Sequence, residues 1–211
     1  MVEKTNFEDL SDLEDFVEDK APTVRTERIK NFKWEKEPEI NNVFAEAFLG
    51  CEINLRQCAK KILNFEYPHE NTSHGLLSLK KPRASVHVHH GGKLIVIGMP
   101  SLEAAKLVLR KCARRIQRIH KNALFGCFNV TQSFGSGKLR QCLDLEKMAK
   151  SNKFAIFNPE INSSLLFQKN GSKMTVYKNG TITCSSVSSG AFFDAFEDLL
   201  RNFNQFLIKS F

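Results

Sequence analysis

The chain has 211 residues, 42% of them hydrophobic and 26% charged, with a formal net charge of +8. This is enough for one sizeable core or two small fused ones, and no apolar run approaches the roughly 20 residues that a bilayer crossing needs. The N-terminus is acidic where a secretory leader would be basic and then apolar, so the expected setting is cytosolic or nuclear.

Residues 1–40 hold 7 Lys/Arg against 12 Asp/Glu, a local charge of −5 that leaves +13 on residues 41–211. A basic body with an acidic arm points to a polyanionic partner, which the arm can shield. Within the arm, Met1–Asp19 is acidic with scattered Leu10, Leu13, Phe16 and Val17. That pattern suits either a short amphipathic helix or a segment that orders on a partner. Ala21-Pro22 opens a mixed-charge connector containing the single tryptophan, Trp34, and residues 1–39 read as a flexible appendage.

From Ile40 the pattern becomes regular. An extended Ile40–Phe48 meets a turn at Leu49-Gly50-Cys51, and Asn54 caps a helix through Leu55, Cys58, Ala59 and Ile62. Phe65–Pro68 leads to a strand near His74–Lys80 and a corner at Pro82. The stretch Lys80–Gly98 is then a hairpin: Ala84, Val86 and Val88 alternate with Ser85, His87 and His89, and Leu94 and Val96 with Lys93, Ile95 and Ile97. Period two puts one face on a core and leaves the other open, with Gly91-Gly92 supplying the tight turn. Ser101-Leu102-Glu103 starts a long helix with apolar positions Leu102, Ala105, Leu109, Cys112, Ile116 and Ile119. These elements make one unit, residues 40–126.

The same order recurs over residues 127–211. Phe128–Gly137 is extended, Leu139–Met148 reads as the short helix, and Phe157–Glu160 answers Tyr67–Glu70. Met174–Tyr177 and Thr181–Cys184, joined at Asn179-Gly180, answer the hairpin, and Ser189–Leu207 answers the long helix. The two copies are offset by 90 residues at Asn42/Gln132 and by 88 at Gly92/Gly180. Tandem copies of a sheet-plus-helix unit imply a pseudo-symmetric α+β fold with a long shared face.

Catalytic chemistry is not expected. There is no Walker loop, H-E-x-x-H or G-x-S-x-G, and Gly135-x-Gly137 reads as part of the repeat's turn and not as a phosphate loop. His87-x-His89 lacks an evident third metal ligand. The six cysteines form no C-x-x-C pair, several fall at core-facing positions of the periodic segments, and they read as reduced. No cofactor is expected.

The order of Asn42-Val43, Leu49-Gly50-Cys51, Glu66-Tyr67, Lys81-Pro82-Arg83, Gly92-Lys93-Leu94, Gly98 and Ala113-Arg114-Arg115-Ile116-Gln117 resembles the TATA-box-binding protein (TBP) family. The second copy adds Phe128, Gly135-Ser136, Leu145-Glu146, Asn158-Pro159-Glu160, Asn179-Gly180 and Ala195-Phe196-Glu197, so the resemblance runs from 41 to about 208. It implies a saddle: two tandem repeats forming one curved antiparallel sheet, with two long helices on the convex side. The family lays its concave sheet on the DNA minor groove and wedges two pairs of phenylalanines between base steps. Those four positions are Thr72, His89, Asn162 and Tyr177 here, and only Tyr177 suits the wedge. The chain is in this respect most similar to the divergent TBP-like or TBP-related factors, which bind TATA boxes poorly or not at all.

The resemblance also assigns the remaining sites. Groove-floor amides are Asn42 and Gln132, with Phe44 and Phe134 two positions on; Ile97 and Ser185 stand where the family has threonines. His87, His89 and the carboxylate of Glu46 share that face. Glu46 is expected to repel groove acceptors, and the histidines to strengthen binding below about pH 6.5 as they protonate. Lys80, Arg83 and Lys93 match groove-flanking basics. Glu66 and Tyr67 match the side engaged by general transcription factor A. Of the acidic contact to general transcription factor B only Glu160 remains, the first acid being Asn158 here. Arg110, Arg114, Arg115 and Arg118 of the basic helix face other protein partners. The implied function is a nuclear initiation factor, a monomer on double-stranded DNA that recruits general factors with weak or no TATA specificity. The alternative is a saddle-fold module that does not bind DNA and regulates transcription by sequestering such factors.

Overall fold

The computed structural model describes residues 33–67 and 72–200. Among these, ten strands and four helices follow in chain order: β1 Trp34–Phe48, α1 Leu55–Lys61, β2 Phe65–Glu66, β3 His74–Lys80, β4 Arg83–His89, β5 Lys93–Met99 and α2 Leu102–Gln117. The second series is β6 Gly126–Leu139, α3 Leu145–Ser151, β7 Ala155–Ile156, β8 Ser164–Lys169, β9 Ser172–Tyr177, β10 Thr181–Ser186 and α4 Ser189–Leu200. The two series are the same sequence of elements, so the duplication is structural as well as sequential. The strand order is β2-β3-β4-β5-β1-β6-β10-β9-β8-β7, in one antiparallel α+β sheet.

Contacts divide the described chain into two units: residues 42–67 with 72–131, and residues 33–41 with 132–200. In the first unit Asn54 caps α1, its Oδ1 accepting from the Gln57 amide at 3.0 Å, and Ser101 Oγ caps α2 by accepting from Ala104 N at 3.1 Å. The alternation read from sequence holds: Leu77, Leu79, Val86, Val88, Leu94 and Val96 are buried beneath α2, which sends Ala105, Val108, Leu109, Cys112 and Ile116 into the same core. Gly92 takes φ 78° at the hairpin turn, where its missing side chain also clears the Cys51 carbonyl.

In the second unit Leu165, Phe167, Met174, Val176, Ile182 and Cys184 pack against Phe192, Phe196 and Leu199 of α4. Trp34 belongs to this core. It is 8% exposed, with its ring 6.2 Å from that of Phe196. Residues 34–39 were expected in the appendage; instead β1 starts six residues early, because Trp34, Pro38 and Ile40 supply apolar surface that the second unit buries. Arg140 secures this segment with its amide to the Lys33 carbonyl at 3.0 Å and its Nε to the Trp34 carbonyl at 3.1 Å. The acidic segment 1–19, most of the connector, residues 68–71 and the expected end of the last helix at Leu207 lie outside the described residues.

Three further expectations change. The short helix of the second copy starts at Leu145, capped by Asp144, and Leu139 closes β6 instead. Gly135 and Gly137 lie inside β6 and not in a turn. A side chain at 135 would meet the Glu39 carbonyl at 2.1 Å and the Phe192 ring at 2.7 Å, so glycine there reflects close approach. Tyr67 and Phe157 follow the short strands β2 and β7 as loop residues, and β8 is a strand that the expected second copy did not include. All six cysteines are free thiols; Cys58, Cys112 and Cys184 are buried, and burial pushes Cys58 up to about 11 and Cys184 to about 12. Among the described residues no helix is long and apolar enough to cross a membrane.

Candidate nucleic-acid interface

Each unit buries one sheet face under its long helix and leaves the other face open. In the first unit the open face is the second half of the period-two pattern: Asn42, Phe44, Glu46 and Phe48 on β1, Lys93, Ile95 and Ile97 on β5, Ser85, His87 and His89 on β4, and His74, Leu76 and Ser78 on β3. Strand register aligns Glu46 with Ile95, Ile95 with His87 and His87 with Leu76 as one row. Lys93 Nζ lies 2.6 Å from Glu46 Oε2 and 5.6 Å from the centre of the Phe48 ring. The charge of Glu46 is met by Lys93, and Lys93 in turn is held within the face. Asn42 Oδ1 is shielded from solvent and has no hydrogen-bond partner among the described residues.

His74 was not singled out from sequence, yet it stands opposite His89 in register, with ring centroids 4.9 Å from His87 and 5.3 Å from His89. Its place was legible, since His74, Leu76, Ser78 and Lys80 continue the open-face parity of β3. Among the described residues no group of three or more His, Cys, Asp or Glu is arranged to hold a metal ion. Burial lowers the pKa of His87, with His74 adding to it; for His89 burial again leads, followed by His74, His87 and Lys93. Both rings are thus neutral at neutral pH, and protonation needs more acid than the expected 6.5. Lys80 and Arg83 pair in register at the exposed β3–β4 corner.

The open face of the second unit is hydroxyl-rich and carries Lys173. Phe134 of β6 pairs with Ser185 of β10, Ser185 with Lys173 of β9, Ser136 with Thr183, and Thr183 with Thr175. These side chains and Asn41 line a shallow depression of about 410 Å³. Gln132 is half-buried at one end of the β6 row and Tyr177, 39% exposed, ends the β9 row. Lys173 and Thr175 went unnoticed in sequence, although they share parity with Tyr177.

A family model described as "Transcription factor TFIID (or TATA-binding protein, TBP)" matches residues 37–119. The TATA-box-binding protein-like 1 of Entamoeba histolytica is 26% identical over 175 residues, spanning 82% of this chain and 81% of its own. The TATA-box-binding protein of Candida albicans is 27% identical over 173 residues, 80% of this chain and 73% of its own. The solved structure of Methanococcus jannaschii TBP superposes with a TM-score of 0.65 at 18% identity, covering 80% of this chain and 99% of that one. The chain is similar to the TATA-box-binding protein family over most of its length.

Of the residues expected at the wedge positions, Thr72 precedes β3, and its carbonyl accepts from Tyr67 OH at 3.5 Å. His74, two residues on, stands opposite His89. In the second unit Asn162 is exposed, with its Oδ1 accepting from Ser164 N at 3.1 Å and Ser164 Oγ at 2.9 Å, while Ser164 stands opposite Tyr177. In each unit one of the two expected positions therefore lies two residues before the register partner of the other, with a ring at His89 and Tyr177 and none at Thr72 or Asn162. Among the residues expected to meet partners, Glu66 is exposed on the short strand β2. Asn158 Oδ1 accepts from the Glu160 amide at 3.1 Å, so Asn158 stabilises its own turn. Arg110 lies over the Phe125 ring at 5.6 Å; Arg114 and Arg115 are half-buried and Arg118 exposed on α2, the helix that covers the core. The arginines are thus on a different surface from the open sheet face.

Proposed function

We propose that this chain is a divergent, nuclear TBP-like initiation factor that sits on core-promoter DNA as a monomer, with little or no TATA preference, and recruits general transcription factors. The observation that carries this reading is the open sheet face of each unit. Asn42 and Gln132 supply amides for base edges, Phe44 and Phe134 supply apolar contact, and Lys80 and Arg83 supply phosphate partners. Similarity to the TATA-box-binding protein family and the net charge of the body support the same assignment.

Weak TATA preference follows from the wedge positions. Unstacking a base step costs a few kcal/mol, which an inserted ring offsets and a threonine or asparagine does not. DNA bound by this chain is accordingly bent less. Glu66 and Tyr67 are the proposed contacts to general transcription factor A, and Glu160 with the α2 arginines serves general transcription factor B and other proteins.

A salt titration on a promoter-length duplex tests this. Steep loss of affinity between 50 and 200 mM salt, on the order of 10³-fold if six phosphates are contacted, is the expected result. The Glu46–Lys93 pair, which removes one cation from the face, favours the second reading of an interaction module that sequesters general factors. A flat, weak salt response with capture of purified factor A in the absence of DNA establishes that reading and overturns the first.

A further inference from the structure

The minor groove of an A·T pair presents only acceptors, adenine N3 and thymine O2, whereas a G·C pair adds one donor, the guanine 2-amino group. A carboxylate facing an A·T tract therefore meets lone pairs at every step. Glu46 occupies such a position: its side chain is 17% exposed, and Ile95 stands directly across from it. Phe44 and Phe48 lie two residues to either side on β1, and Ile97, 51% exposed, follows Ile95 on β5. Ile97 offers no N–H or O–H to an A·T acceptor.

Lys93 makes this carboxylate tolerable near phosphates. With Nζ 2.6 Å from Oε2 the pair is neutral overall, and an ionised carboxylate has about four lone-pair sites, of which one lysine hydrogen bond uses one. The first unit thus combines a neutralised acceptor, apolar surroundings and a lost donor position on one face.

We infer that this face selects a G·C pair in the minor groove, with the Glu46 carboxylate accepting a hydrogen bond from the guanine 2-amino group. The inference rests on the DNA-binding reading above. It makes Glu46 a specificity residue and Lys93 the residue that positions and neutralises it. The preferred site is then an A·T-poor or mixed element and not a TATA box.

The test uses the full chain and fluorescence anisotropy on one duplex length. Each base pair of an all-A·T duplex is replaced in turn by G·C, by inosine·C, which lacks only the 2-amino group, and by 2,6-diaminopurine·T, which adds that group to an A·T pair. At one or two positions G·C is expected to bind roughly 10-fold tighter than inosine·C, and diaminopurine·T tighter than A·T by a similar factor. The paired replacements separate the amino group from duplex softness. Glu46→Leu is expected to bring both ratios to about one while raising affinity for every duplex, because Lys93 is released to phosphate. Should that variant fail to fold, Glu46→Gln, which keeps a carbonyl acceptor and the side-chain shape, is expected to lower the ratios partway. Wild-type ratios within twofold at every position, or ratios unchanged by Glu46→Leu, overturn the inference and leave the DNA-binding reading intact. No binding to any duplex overturns both.

Discussion

Replacing Trp34 by alanine separates two accounts of residues 34–39, as a detachable arm or as part of the second unit's core. The indole is 8% exposed and meets Phe196 edge-on. A side chain of this kind buries about 200 Å², which at about 25 cal/mol per Å² amounts to about 5 kcal/mol. Deducting the 10–40% already buried in a realistic unfolded chain leaves about 3–4.5 kcal/mol, within the range for Trp→Ala in cores. With a urea slope of about 2 kcal/mol per M, the midpoint falls by roughly 1.5–2 M. Because Trp34 is the single tryptophan, wild-type unfolding can be followed by its fluorescence and the variant by circular dichroism, with both proteins also measured by the latter. A change within 0.5 kcal/mol, the size expected of an exposed substitution, would show that the segment is an arm and refute the reasoning.

Other consequences are equally direct. Duplex affinity should stay level from pH 8 to 6.5 and climb only at lower pH, since burial and neighbouring charge hold His87 and His89 below the ordinary value of about 6.5; a titration by anisotropy, repeated on His87→Gln with His89→Gln, should lose the acid limb. For the free protein the sign is opposite. With the folded-state value below the unfolded one, the unfolded chain binds more protons below about pH 6.5, so stability drops as pH falls through that window, and the double variant should drop less in urea at pH 5.5. Gly135→Ala places a methyl against the Glu39 carbonyl and Phe192, costing about 2 kcal/mol and roughly 4–8 °C in calorimetric Tm. Ser101→Ala removes the α2 cap at a cost of about 1 kcal/mol, measurable by urea unfolding.

Period-two alternation from Ala84 to Ile97 made the first unit's hairpin and both of its faces readable, because its core face is consistently apolar and its turn glycines unambiguous. The same alternation placed His87 and His89 on the open face, and the caps Asn54 and Ser101 marked their helices before any contact was known. What escaped depends on partners distant in sequence. Trp34 is an ordinary aromatic in a charged stretch until Phe196, far along the chain, completes its surroundings. Gly135 and Gly137 look like a turn because glycine's need for close approach cannot be told from its need for positive φ without the neighbouring Glu39, Pro38 and Phe192. Likewise Glu46 looked repulsive when its charge was counted alone, and the lysine that meets it comes from β5.

Strands β1 and β6 each lend one part of their length to one unit and the rest to the other. A chimera joined at the boundary between the copies would therefore graft a half that has left part of its own core behind, since residues 33–41 travel with 132–200 and not with the copy they precede. Exchange between relatives, in the laboratory or in descent, has to move those nine residues with the later half. The tandem copy visible in the gene is not the piece that can be transplanted.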